Sequence, residues 1–204
     1  MNTLLPLLID VYEHWLATCD AGQEQVRAVV HQMRELGAAQ PVSPHVLPVV
    51  PQHLGQAAEL GTVPELADLI CTLLRVGDQL DWITTPADYV GSEFADNFAF
   101  VQLGGPAILE ARPIMYPNEK IAFGFSLQAP HTFYPRHKHK AIEFYGVLAG
   151  TALWQLGDGA WQAKPPGSFI FHDSEVIHAM QTQEEPLLTT FAWIGDLLAP
   201  LEAV

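Results

Sequence analysis

The sequence predicts a mainly-β domain, an antiparallel barrel or sandwich, that carries an α-helical N-terminal region. Three observations predict it. Leu5, Leu8, Val11, Tyr12 and Trp15 recur at three- and four-residue spacing, one buried stripe of a helix. From about residue 97 the chain changes to short aromatic and β-branched runs broken by glycine and proline. Of the 204 residues, 49% are apolar and 16% charged, enough to fill a core and too little charge for a disordered chain.

The helical region is expected over residues 1–96. Its first helix carries the stripe above. A second is expected from Gln23 to Leu36, stopped by Gly37 in a left-handed conformation. Residues 38–61 hold Pro41, Pro44, Pro48 and Pro51, so they are expected to be irregular with at most short helical turns. Thr62-Val63-Pro64-Glu65 reads as a capping box that opens a helix through Leu74. Cys19 and Cys71 fall in these segments without a CxxC pair, and reduced, buried thiols are expected.

The barrel is expected over residues 97–204. Its strands are Phe98–Leu103, Ile121–Leu127, Glu143–Leu148, Thr151–Leu156, Ser168–Phe171, Ile177–Gln181 and Leu188–Ile194. Ala149-Gly150 and Gly157-Asp158-Gly159 supply tight turns between them. Phe98, Phe100, Phe123 and Phe125 sit at alternate positions and are expected in the core.

Charge excludes whole classes of partner. Nine Lys and Arg against 23 Asp and Glu give a net charge of −14. A chain so poor in cations cannot build the basic face that nucleic acid or an anionic membrane surface requires. The opening MNTLLPLLIDVYEHW has no basic leader and no apolar run long enough to span a bilayer, so the cytoplasm is the expected compartment. No GxGxxG, P-loop, HEXXH or nucleophile elbow is present.

The histidines carry the chemistry. Three of the nine lie in His131-Thr132-Phe133-Tyr134-Pro135-Arg136-His137-Lys138-His139, with Glu143 four residues beyond His139 and Gly150 seven beyond that. In an extended segment His137 and His139 project from one face, while Lys138 and Lys140 point to solvent. Glu143 can join them after a short bend, and His178 can arrive from a neighbouring strand. Three imidazoles and a carboxylate inside a barrel make a nitrogen/oxygen site for one divalent transition metal ion: Zn, Fe, Mn, Co or Ni. Tyr145, two residues beyond Glu143, shares the inward face. His131 and His172 are expected as supporting or surface residues.

These residues carry a resemblance. His137-x-His139-x3-Glu143-x6-Gly150 resembles the first cupin motif with every spacing kept. Pro166-Gly167 followed by His178 resembles the second, with His172 where proline is usual and the downstream asparagine missing. The match runs over residues 97–196 and implies a cupin barrel, a double-stranded β-helix or jelly roll. More narrowly, Tyr134-x2-His137-x-His139-x3-Glu143-x-Tyr145, then His178 and Trp193, is similar to the cupin-type dimethylsulfoniopropionate lyases of the bacterial Q type.

That resemblance implies a metal on His139, Glu143 and His178, with Tyr145 able to ligate. It leaves His137 open between a further ligand and a substrate contact, and it places Tyr134 and Trp193 in the substrate pocket. The implied substrate is a small zwitterionic sulfonium, split into dimethyl sulfide and acrylate by removal of the proton α to its carboxylate. Tyr145 is the expected base and Tyr134 the alternative. Trp193, Tyr134 and nearby phenylalanines would hold the sulfonium by cation–π contact. Two other readings share the ligands: a cupin Fe(II) dioxygenase or isomerase acting on a small carboxylate, and a non-catalytic ligand-sensing cupin. A monomer or homodimer is expected.

Overall fold

Alternation of side chains along the strands divides the apolar residues of this chain between two cores. In the computed structural model, residues 3–107 and 112–204 are described. Four helices come first: α1 (Leu4–Thr18), α2 (Gln23–Arg34), α3 (Val49–Glu59) and α4 (Ala67–Val76). Two short ones, α5 (Ala87–Val90) and α6 (Ser92–Asp96), lead into the strands. These are β1 (Phe98–Gly105), β2 (Tyr116–Pro117), β3 (Ile121–Gln128), β4 (Phe133–Lys138), β5 (Ile142–Ala149), β6 (Ala152–Leu156), β7 (Gln162–Lys164), β8 (Phe169–His172), β9 (His178–Thr182), β10 (Leu187–Ile194) and β11 (Glu202–Ala203). They form a six-stranded sheet in the order β2-β1-β3-β10-β5-β8 and a five-stranded sheet in the order β11-β4-β9-β6-β7. All neighbours are antiparallel except β1 and β2. The fold is the expected mainly-β cupin barrel with helices at its N-terminal side.

The six-stranded sheet works with both faces. Ala99, Val101 and Leu103 of β1, Phe123, Phe125 and Leu127 of β3, and Phe144 and Leu148 of β5 face outward into a core shared with α1–α4. The residues between them, Phe98, Tyr145, Val147 and Phe191, face inward and meet Tyr134, Trp154 and Met180 of the other sheet. The four phenylalanines expected in the core therefore split: Phe123 and Phe125 lie under the helices, and Phe98 and Phe100 line the barrel. On α1 the buried residues are Leu4, Leu5, Leu8, Val11, Tyr12 and Trp15, the stripe read from the sequence.

Four expectations need correction. Residues 49–59 are an eleven-residue helix, not irregular chain. Proline fixes its own φ at a helical value and costs no hydrogen bond in the first turn, so Pro48 and Pro51 start this helix instead of breaking it. The box at Thr62–Glu65 makes no side-chain cap, and the helix there begins as a 3-10 turn at Pro64–Leu66. The second helix ends at Arg34, and the left-handed glycine is Gly22 at its start, with φ +73°, while Gly37 does not adopt that conformation. Cys19 is buried just past α1, but Cys71 lies on the exposed face of α4; both are free thiols.

Gly146 joins the two cores. It sits on β5 between two inward residues, with its own face toward the helices, where the outer edge of the Trp15 indole lies against it. A Cβ added there would be 1.8 Å from Cη2 of Trp15. That ring cannot step aside, because Trp15 is 1% exposed and its indole N–H is bonded to the Gly167 carbonyl at 3.1 Å. Overpacking at such a contact costs about 1–3 kcal/mol. Gly146→Ala should therefore lower the unfolding free energy by that amount, read as a lower denaturant midpoint in chemical unfolding; an unchanged midpoint would show that α1 is not locked to β5. Among the described residues no helix is long and apolar enough to cross a membrane.

Candidate active site

Sheet register builds the site. On the six-stranded sheet Trp193 of β10, Glu143 of β5 and His172 of β8 are successive cross-strand neighbours and form one row. On the facing sheet His137 of β4 pairs with His178 of β9. His139 enters from the turn between β4 and β5. Tyr134 is three residues from His137, which on a regular strand would put it on the opposite face. The ladder is irregular between the two positions, and this brings both rings inward, stacked at 4.3 Å. All the residues singled out in the sequence converge here: Tyr134, His137, His139, Glu143, Tyr145 and His178 are each at most 5% exposed, and Trp193 is half-buried beside them. Lys138 and Lys140 point away, Lys138 to Glu175 and Glu202 at 2.9 and 3.3 Å.

The turn after β5 shows why Gly150 belongs to the pattern. Its φ is +76°, and a Cβ there would stand 1.9 Å from the Pro186 carbonyl oxygen. Only glycine closes this turn between β5 and β6.

Glu143 is the hub. Its Oε1 accepts from Trp193 Nε1 at 2.6 Å, and its Oε2 accepts from His172 Nδ1 at 2.9 Å. His139 Nε2 lies 3.2 Å and His178 Nε2 3.3 Å from the same Oε2. Each of the three sequence-predicted imidazoles donates its Nδ1–H to a backbone carbonyl: His137 to Pro135 at 2.7 Å, His139 to Ala141 at 2.9 Å, His178 to Val176 at 2.9 Å. A carbonyl can only accept, so in the neutral rings every Nε2 presents a lone pair. His178 Nε2 is buried and has no hydrogen-bond partner. A lone pair set against a carboxylate oxygen is repelled unless a proton or a cation lies between them. The donor atoms of His137, His139 and His178 lie within 4.8 Å of one another, as do those of Glu143, His172 and His178. Three imidazoles and one carboxylate at this spacing fit a divalent metal ion of the borderline class.

The titration behaviour follows from burial and mutual charge. Burial, and then the neighbouring His178, push His137 down to about 3 and His172 down to about 4. Burial works against the Glu143 carboxylate too, but the His139 charge and hydrogen bonds from His139 and His172 outweigh it and hold it well below the ordinary range. Burial pulls His139 down, and the charge and hydrogen bond of Glu143 reverse this and raise it. Burial first, then the charge of Glu143, raises the phenols of Tyr134 and Tyr145.

Above this cluster opens a cavity of about 280 Å³, walled by Phe98, Phe100, Tyr134, Tyr145, Phe191 and Trp193 with Glu143 at its floor. Thr85 and Pro86 from the helical side and Leu198–Leu201 from the C-terminal segment border it. No lysine or arginine is among the described residues that line it. Sequence reasoning left His172 as a supporting or surface residue and did not include Trp154, Phe191 or the C-terminal leucines. His172 is fully buried against Glu143, and only the pairing of β5 with β8 reveals it.

Residues 21–189 match the family model described as dimethylsulfoniopropionate lyase. The inferred dimethylsulfoniopropionate lyase DddL of Cereibacter sphaeroides is 35% identical over 155 residues, which are 75% of this chain and 62% of that protein. The dimethylsulfoniopropionate lyase DddQ of Ruegeria pomeroyi is 29% identical over 159 residues, 74% of this chain and 75% of its own. This chain thus spans less than two thirds of the DddL relative's length. A crystal structure of DddQ from Ruegeria pomeroyi DSS-3 superposes on 100% of this chain and 98% of its own with a TM-score of 0.79 at 23% identity. A structure from work on the lyases RdDddP and RnDddQII covers 98% of this chain and 97% of its own, with a TM-score of 0.77 at 23% identity. At that identity the two structures establish the fold, helices included. By the family model, which takes in most of its length, the chain belongs to the dimethylsulfoniopropionate lyase family.

Proposed function

We propose that this chain is a metal-dependent dimethylsulfoniopropionate lyase that eliminates dimethyl sulfide to leave acrylate. The observation that carries the proposal is one juxtaposition: a buried cluster of three imidazoles and Glu143 adjoins, through Glu143, an aromatic cavity with no lysine or arginine in its described lining. A substrate with a sulfonium at one end and a carboxylate at the other matches both halves. Aromatic faces attract a desolvated cation by up to about 2 kcal/mol. With no basic side chain in the lining to meet the carboxylate, that end is directed to the floor.

His139, Glu143 and His178 would hold the metal, with His137 beside them as a further ligand or a substrate contact. When bound, the metal would neutralise the substrate carboxylate, stabilise the enolate-like charge and offset Glu143 so that the tyrosine can ionise.

The chain's own residues do the rest. Tyr145 stands two residues from Glu143 on the inward face of β5, and its phenolic oxygen takes the proton from the carbon next to the carboxylate. The electron pair of that C–H bond becomes the new carbon–carbon double bond. The carbon–sulfur bond breaks, and its pair leaves on sulfur as neutral dimethyl sulfide, which needs no general acid. Tyr134, stacked on His137 and Phe94 at 4.3 and 4.2 Å, would face the sulfonium with Trp193. Thr85, Pro86 and the 198–201 segment would close the mouth and keep water from the reacting carbon.

Protein reconstituted with Zn, Fe or Mn should release dimethyl sulfide in a headspace gas-chromatographic assay, and chelated protein should not. Absence of release with every one of these metals refutes the assignment. His139→Ala and His178→Ala should each bring metal content after dialysis, read by plasma mass spectrometry, far below one ion per chain; retention of full content would remove them from the ligand set. Tyr145→Phe should keep its metal and lose turnover by roughly 100-fold or more, in line with removal of a general base. A dead Tyr134→Phe beside an active Tyr145→Phe would exchange the two roles.

A further inference from the structure

His172 offers a ring nitrogen that, with Glu143 and His178, makes up a second possible metal triad. Hydrogen-bond accounting decides between the two triads. An indole N–H can only donate, and Trp154 Nε1 lies 3.0 Å from His172 Nε2. His172 Nε2 is therefore an acceptor with its lone pair already used. The ring hydrogen sits on Nδ1, which is 2.9 Å from Glu143 Oε2 and donates to it. Both nitrogens are committed, and the ring is 0% exposed with Trp154 at 1%, so neither group has water to exchange partners with. The three other imidazoles differ in this respect: their Nδ1–H groups go to backbone carbonyls, and their Nε2 atoms face the cluster, that of His139 at 3.2 Å from Glu143 Oε2.

We infer that His172 is a positioning residue and not a metal ligand: Trp154 locks it as the Nδ1–H tautomer, and it orients the Glu143 carboxylate. The inference rests on the metal-binding reading of the site proposed above. Glu143 is held from both flanking strands, Oε1 by Trp193 of β10 at 2.6 Å and Oε2 by His172 of β8 at 2.9 Å. Because all three residues are cross-strand neighbours, the sheet sets the plane of the carboxylate before any ion arrives. Trp154 belongs to β6 on the opposite sheet, so its indole also ties the two walls of the barrel together at the level of the site.

The test reads tautomer and metal affinity apart from turnover. Two-bond nitrogen–hydrogen couplings of the histidine rings, recorded on the full chain with and without Zn2+, should show His172 as the Nδ1–H tautomer in both states. His172→Leu should weaken Co2+ binding, measured by competition with a chelator, by roughly 10–100-fold, the usual cost of losing a group that orients a ligand. His172→Asn, whose amide nitrogen overlays Nδ1, should recover most of that loss. The intensity of the Co2+ ligand-field bands should be the same in all three proteins, because the ligand set does not change. Trp154→Phe keeps a ring and deletes the N–H, and it should release His172 into a mixture of tautomers; this variant decides the question if His172→Leu does not fold.

An Nε2–H tautomer in the wild type, a His172 nitrogen shifted by the metal, wild-type Co2+ affinity in His172→Leu, or no recovery in His172→Asn would each overturn the inference. So would a wild type that binds no Co2+. A protein that shows the tautomer and the affinity pattern but releases no dimethyl sulfide would refute the lyase reading and leave the role of His172 standing.

Discussion

A carboxylate that is 2% exposed in the middle of a barrel is the feature on which the rest of this molecule depends. An isolated charge moved from water into such a place costs far more than the whole stability of a domain. Glu143 keeps its charge because its oxygens receive N–H groups from Trp193 and His172 and face His139 and His178. Those partners come from β10, β8, β9 and the turn after β4, so four separate stretches of chain must be in register for one side chain to be tolerated. A slip of one residue in any of these pairings would turn the partner to the other face. Beside the carboxylate, the backbone carbonyls that take the Nδ1–H groups of His137, His139 and His178 leave their Nε2 atoms turned inward, which is what makes the place suited to a cation.

The strand that carries Glu143 is held from its other side by the helices. Inward residues Glu143, Tyr145 and Val147 alternate with outward Phe144, Gly146 and Leu148. Phe144 and Leu148 belong to the helix-facing core, and Trp15 lies against Gly146, so the N-terminal region braces the site strand directly. The site thus rests on rigid sheet rows. Its cavity is closed by segments outside the sheet ladders, Thr85–Pro86 and Leu198–Leu201. That division suits a proposed reaction in which small molecules must enter and leave while the reacting groups hold their geometry.

How much of this could be read from the residues alone follows from the range of the interactions involved. His137, His139 and Glu143 were legible because two-residue strand periodicity and one tight turn relate them, and the glycine that closes the next turn, Gly150, is required by local backbone geometry. His178 was legible through its place after Pro166-Gly167. His172 was not, since its role depends on which strand lies beside β5, and a pairing between residues 143 and 172 leaves no local trace. Tyr134 needed an irregularity in β4, which Pro135 hints at by lacking a ladder N–H but which does not tell by itself to which face the Tyr134 ring turns. The missed helix at Val49–Glu59 has a different cause: several prolines were read as breakers, although two of them occupy the one turn that accepts them.

The net charge of −14 says nothing of what the cavity selects. Selection at this site would work by omission. A carboxylate substrate is ordinarily met by arginine or lysine, and the described lining of this cavity has neither. A fixed basic side chain at the carboxylate would also repel the sulfonium a few bonds away and lose part of its attraction to that repulsion. Aromatic walls avoid this conflict, because their faces attract the cation and are indifferent to where the anion goes. The two tyrosines divide accordingly. Burial, and then the charge and a hydrogen bond of Glu143, hold the proton on Tyr145, whereas the Tyr134 hydroxyl turns to Thr85 and its ring packs on Phe94 and His137. Both phenols feel the Glu143 charge, but only Tyr145 is also hydrogen-bonded to that carboxylate, where a bound divalent cation would change its ionisation most. This asymmetry is the physical ground for giving Tyr145 the proton and Tyr134 the sulfonium.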